Sequence, residues 1–152
     1  MRRRMTDIMI SFDDVQFHED DRAQRVMNVF KYLRGGQINV SYVNSTQHVV
    51  AWHKHNIQTD YWFCVKGSFK VGLAEEIPGV PGEGGQYYET KFEYLSDKNP
   101  RVLVIPPGVY HGYKALEPGS IMLYYLSEQY DPNDELRAAV GAFGEDWGTE
   151  NK

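Results

Sequence analysis

The chain has 152 residues, a formal net charge of −5 and a hydrophobic content of 41%. That size buries a core without disulfide staples, and the mix excludes a disordered, collagen-like or low-complexity chain. No run reaches the roughly 18–20 apolar residues of a membrane span, and the acidic balance counts against nucleic acid as a partner. The basic opening Met1-Arg2-Arg3-Arg4-Met5 is not followed by the apolar stretch of a secretory signal. The single cysteine, Cys64, allows no internal disulfide and fits a reducing cytoplasm. The expectation is one cytoplasmic domain over residues 1–152, with its core over about 20–137 and a mobile tail at 1–8.

The first segment with a pattern is ambiguous. Ala23, Val26, Met27, Phe30 and Leu33 have helical spacing with Gly35-Gly36 as a stop, while Val26, Asn28, Phe30 and Tyr32 alternate like a strand. From residue 40 onward the reading is β. Strand-length runs of β-branched and aromatic residues fall at 40–43, 49–52, 61–65, 68–73, 87–92, 102–105 and 121–126. Turn chemistry separates most of them, as at Lys66-Gly67-Ser68, Asp97-Lys98-Asn99-Pro100, Pro106-Pro107-Gly108 and Glu117-Pro118-Gly119. The Gly/Pro stretch 78–85 reads as a hairpin loop. Asp131-Pro132-Asn133-Asp134-Glu135 predicts a short C-terminal helix through about Val140, with Asp131 as cap and Pro132 at its first position. Short strands at this spacing predict an all-β antiparallel sandwich or barrel.

The chemistry collects around three of the five histidines. His53 and His55 are i and i+2, so on a strand they share a face. Asp60 follows and is expected on the next strand of the same sheet; His111 follows the Pro106-Pro107-Gly108 turn. Three imidazoles and a carboxylate converging in a barrel have the ligand count for a divalent metal. The spacing His53-x-His55, Asp60, Gly67, then Pro106-x-Gly108-x-x-His111 resembles the two motifs of the cupin superfamily. It departs in carrying Asp60 where cupins usually carry Glu. The resemblance implies a cupin-type jelly-roll fold. Cys64 reads as a buried small hydrophobe, and His18 and His48 as surface or satisfied residues.

A narrower resemblance lies within the superfamily. Gln37-Ile38-Asn39-Val40-Ser41, Val50-Ala51-Trp52-His53, Ile105-Pro106-Pro107-Gly108-Val109-Tyr110-His111-Gly112-Tyr113, Leu123-Tyr124 and Tyr130-Asp131-Pro132 with Glu135 are similar to segments of the dTDP-4-dehydrorhamnose 3,5-epimerases. In that family they read Gln-x-Asn-x-Ser, Arg-Gly-Leu-His, Ile-Pro-x-Gly-x-x-His-Gly-Phe, Leu-Tyr and Tyr-x-Pro-x-x-Glu. The resemblance implies a metal-free isomerase that epimerises a 4-keto-6-deoxy sugar of a nucleoside diphosphate at C3, C5 or both. It implies His53 as general base and Tyr124, rather than Tyr125, as the opposing acid. It also implies Gln37 and Asn39 as nucleotide or sugar ligands, and a homodimer.

His55 or His111 is then a hydrogen-bond partner for the enolate oxygen. The chain departs from the family at Val50, where Arg is expected, at Asp60, where Lys is expected, and at the additional His55; Asp146 is the candidate for a late aspartate partnering the base. Asp60 is expected to orient an imidazole of the base in its place. Three alternatives stand beside this reading. One is a 3,4-ketoisomerase. Another is a metal-dependent cupin, an oxygenase or small-sugar isomerase using His53, His55, Asp60 and His111 as ligands. The last is a non-catalytic sugar-binding cupin.

Overall fold

The computed structural model describes residues 10–77 and 87–149. The expected mobile tail 1–8 and the hairpin loop 78–85 lie outside the described residues. In chain order the strands are β1 (Ser11–Asp14), β2 (Gln16–Glu19), β3 (Gln24–Met27), β4 (Gln37–Val43), β5 (Val50–Lys54), β6 (Asp60–Lys66), β7 (Ser68–Glu76), β8 (Tyr88–Ser96), β9 (Arg101–Ile105), β10 (Val109–Ala115), β11 (Ser120–Leu126) and β12 (Leu136–Arg137). Each of the seven β-branched and aromatic runs becomes a strand. Two five-stranded antiparallel sheets, β1-β9-β6-β11-β4 and β12-β5-β10-β7-β8, face one another, and β2 and β3 form a separate hairpin.

Period-2 side-chain alternation decides what each strand offers to the interior. Phe69, Val71 and Leu73 of β7 meet Trp62, Leu103 and Met122 from the opposite sheet, and this cluster fills the space between the sheets. Burying each such side chain contributes on the order of 1.5–3 kcal/mol. The outer faces are covered too. Trp52, Ala74 and Tyr110 lie under Trp147 and Phe143 from the C-terminal segment, while Phe63, Val102 and Tyr125 lie under Phe30 and Val26. Gly67 turns the chain from one sheet into the other at φ +81°, and a Cβ there would stand 2.1 Å from Ser120 Oγ. No other residue fits that corner.

Three local expectations change. The short C-terminal helix is absent: Asp131 does cap a turn, accepting from the Asn133 amide at 2.9 Å, but the turn is a single 3-10 one, Pro132–Asp134. Asp134 points inward and accepts from the backbone amides of Asn56, Ile57 and Gln58. Leu136 and Arg137 then pair with Lys54 and His53 of β5, so strand pairing replaces helix propagation. The ambiguous N-terminal segment is a strand only as far as Met27; Asn28 breaks the alternation with φ 56°. Asp60 is not on the sheet of His53: β6 belongs to the facing sheet. Among the described residues no helix is long and apolar enough to cross a membrane.

Candidate active site

The two sheets leave a cleft of about 210 Å³ at one end of the barrel, lined by Asn39, His53, His55, Asp60, His111, Tyr124 and Glu135 among others. Six of the eight residues singled out from the sequence therefore meet in one cavity. Asp146 does not line it, and Gln37 stands behind the wall. Its Nε2 donates to Asn39 Oδ1 at 3.1 Å and its Oε1 accepts from the Tyr130 amide at 2.8 Å. This fixes the Asn39 amide with its donor side free and holds Tyr130 at the cavity mouth. The volume is below the roughly 300–1,000 Å³ that encloses a whole drug-sized ligand, so the cleft suits the reacting part of a larger molecule.

His53 and His111 are cross-strand partners in the β5–β10 register. His55 follows β5 and tilts against His111, ring centroids 5.5 Å apart. The carboxylate beside His53 is neither Asp60 nor Asp146 but Glu135, whose Oε1 lies 3.1 Å from His53 Nδ1. Its Oε2 accepts from Arg137 Nε at 3.2 Å and Nη2 at 2.8 Å. Burial works against the Glu135 charge, but the Arg137 bonds and the neighbouring His53 outweigh it and hold its pKa below the ordinary value. With Nδ1–H donated to that carboxylate, His53 Nε2 is left as an acceptor. Asp146 instead accepts from the Gly148 amide through Oδ1 and from Lys70 through its carbonyl, away from the cavity lining. Glu135 was visible in the Tyr130-x-Pro132-x-x-Glu135 segment, but only the return of β12 onto β5 reveals its partner.

Asp60 sits on the far wall, buried, accepting from Gln58 Nε2 at 2.7 Å and Trp62 Nε1 at 3.1 Å. Its nearest imidazole is His111, with Nε2 3.6 Å from Oδ2. His111 Nδ1 bonds the Val109 carbonyl at 3.0 Å, and His55 Nδ1 bonds the Asp134 carbonyl at 2.8 Å. Carbonyls only accept, so both rings carry their proton on Nδ1 and, when neutral, turn an acceptor Nε2 to the cavity. Burial pushes the His111 pKa down, only partly opposed by Asp60. A neutral His111 accepts from a hydroxyl rather than donating to an enolate oxygen. One ligand atom each from His55, Asp60 and His111 lies within 4.8 Å of the others, close enough together to hold a metal ion, and His53 is not part of that group.

Tyr124 enters from the opposite side. β11 turns Met122, Tyr124 and Leu126 inward, whereas Tyr125 faces out and bonds the backbone of Arg34 and Gly35. His53 and Tyr124 thus project into one cleft from facing sheets.

A family profile described as dTDP-4-dehydrorhamnose 3,5-epimerase matches residues 16–149. The spore coat polysaccharide biosynthesis protein SpsL of Bacillus subtilis is 34% identical over 107 residues, 67% of this chain and 68% of that one. Among solved structures, NovW, a 4-keto-6-deoxy sugar epimerase of Streptomyces spheroides, superposes with a TM-score of 0.77 at 22% identity, covering 95% of this chain and 77% of its own. QdtA, a sugar 3,4-ketoisomerase of Thermoanaerobacterium thermosaccharolyticum, gives 0.71 at 18% identity, covering 90% and 93%. These two likenesses show the fold. The family match shows the rest: the chain belongs to the dTDP-4-dehydrorhamnose 3,5-epimerase family and is a cupin-fold isomerase of the nucleotide-sugar class.

Proposed function

We propose that this chain epimerises a 4-keto-6-deoxy sugar carried on a nucleoside diphosphate, at C3, C5 or both, without a metal. The observation that carries the reading is the placement of a carboxylate-backed imidazole, His53, and a phenol, Tyr124, on facing walls of one cleft. Inversion at a carbon next to a ketone needs a base on one face and an acid on the other. His53 Nε2 takes the proton, the bond's electrons pass into the enolate, and Tyr124 returns a proton from the opposite side. Glu135 keeps the imidazole in the right tautomer and steadies its cation. His55 and His111 accept from sugar hydroxyls, and the free amide side of Asn39 donates to a sugar oxygen. The nucleotide extends past Tyr130 at the mouth. The chain acts as a homodimer in the cytoplasm, a reading supported by the exposed apolar face of β4 and by its single thiol.

Wash-in of solvent deuterium into dTDP-4-keto-6-deoxyglucose tests this. Wild type incorporates deuterium at C3 or C5 and yields inverted product. His53→Asn loses exchange, and Tyr124→Phe keeps exchange but loses inversion. Exchange retained in His53→Asn removes the base assignment.

A second reading has its own observation, the buried His55–Asp60–His111 group. Two imidazoles and a carboxylate suit a divalent transition metal, which would act there as a Lewis acid on a sugar oxygen. Near-stoichiometric metal in protein purified without a metal-affinity step favours this reading. Metal far below stoichiometry favours the first.

A further inference from the structure

A cleft of about 210 Å³ encloses a sugar ring but not the nucleotide attached to it, so the two phosphates lie at the rim. The cleft itself repels anions. No lysine or arginine lines it, while two carboxylates, Asp60 and Glu135, do. Burial disfavours the charged form of His111, so that imidazole does not supply a cation in their place. A diphosphate therefore needs donors from just outside the lining.

Arg137 stands there. β12 is the edge strand of its sheet, next to β5, and Arg137 is directly opposite His53. The adjacent pair, Trp52 and Ala138, exchanges both backbone hydrogen bonds, at 3.0 and 3.1 Å. Arg137 and His53 are thus a non-hydrogen-bonded pair, the kind whose side chains lie closest together on one face. The guanidinium is oriented as well as placed. Its Nε and Nη2 both donate to Glu135 Oε2, at 3.2 and 2.8 Å. Those two bonds leave over both N–H groups of Nη1 and one of Nη2, in a side chain that is 69% exposed. The Nη1–Nη2 edge is a two-pronged face that matches a phosphate. Lys54, the neighbour of His53 on β5, points the other way, with its Nζ 4.8 Å over the Tyr110 ring of the outer cluster.

We propose that Arg137 anchors the substrate's diphosphate, taking phosphate oxygens on its Nη1–Nη2 edge while Glu135 holds the opposite edge. This rests on the nucleotide-sugar reading of the cleft and adds the residue that selects a diphosphate ester over a free sugar. Glu135 offsets the formal charge of the guanidinium, so the contact works through directed N–H groups more than through net charge. Fixing the fork before the ligand arrives also reduces the ordering that binding requires.

Isothermal titration calorimetry of the full chain with dTDP and with thymidine tests this. Loss of a charge-assisted pair of hydrogen bonds at an exposed rim is worth roughly tenfold in affinity. Arg137→Ala therefore weakens dTDP about tenfold and leaves thymidine unchanged, beside any smaller loss of kcat through Glu135. Arg137→Lys recovers little of the dTDP affinity, because an ammonium does not present the fork. Lys54→Gln, which removes the same charge from the other face, leaves dTDP binding as in wild type. Unchanged dTDP affinity in Arg137→Ala overturns the proposal, and so does an equal loss for thymidine, which means a local structural change. Full recovery in Arg137→Lys, or an equal loss in Lys54→Gln, also overturns it, since charge alone then explains the binding. A wild type that does not bind dTDP overturns it whatever the deuterium exchange shows. A wild type that binds dTDP through Arg137 but incorporates no deuterium loses the epimerase reading and keeps the anchor.

Discussion

Glu135 gives one carboxylate oxygen to His53 and the other to Arg137, so in the proposed mechanism one residue sets both the tautomer of His53 and the charge that stabilises its cation. Glu135→Gln keeps the shape but removes the charge. It is expected to lower kcat by roughly 10²-fold while leaving KM little changed, as steady-state kinetics would report. Arg137→Ala should act in the same direction and by less, since its side chain is exposed and screened. Asp60 makes no such contact with the base. It accepts from Gln58 and Trp62 and faces His111, so Asp60→Asn is expected to raise KM more than it lowers kcat. A fall in kcat alone would mean that Asp60, and not Glu135, supports the base.

At the scale of elements, the 3-10 turn at Pro132–Asp134 locks the β5–β6 loop. The Asp134 carboxylate gathers three backbone amides from that loop, and its carbonyl holds His55. Asp134→Ala leaves those amides without acceptors and should cost about 2 kcal/mol, a fall in Tm of roughly 4–8 °C, with weakened substrate binding through a loosened His55. This element also marks the limit of what the sequence reveals. The seven strand runs were legible because alternation and turn residues are local signals. So was the meeting of His53, His55, Asp60 and His111, because the motif spacing reports the barrel. Tyr124 over Tyr125 was legible from its offset to the Tyr130-x-Pro132 segment. The return of residues 131–137 as a strand was not legible: capping residues announce a turn, but the path of the chain beyond it depends on the open edge of β5, a partner some eighty residues away in sequence. Glu135 as the partner of His53, and Asp60 on the opposite sheet, are consequences of pairings of that kind.

For the whole molecule, closing charges hold the outer layers to the barrel. Glu145 accepts from the indoles of Trp52 and Trp147 and from the amides of Gly141 and Phe143. Burial opposes its charge, yet these bonds prevail and lower its pKa, as they do for Asp134. A carboxylate whose pKa is lower folded than unfolded contributes its stability in full above the unfolded value, about 4. That contribution is lost as pH falls through the folded value. Tryptophan fluorescence should therefore report stability that is flat above about pH 5 and declines below about pH 4, with a shallower acid limb in Glu145→Gln. The sheet edge at β4 carries the last prediction. Of its inward residues Asn39 lines the cleft, while Ile38, Val40 and Tyr42 form an exposed apolar stripe on its other face. An edge strand with such a stripe is an aggregation hazard unless another surface covers it, and in the proposed homodimer a second copy related by a two-fold axis would cover it with closure. Val40→Lys places a charge in the middle of the stripe without touching the interior. It should convert a dimer to a monomer in sedimentation equilibrium with the β-sheet circular dichroism preserved, and a wild type that sediments as a monomer would leave β4 an edge without a partner copy.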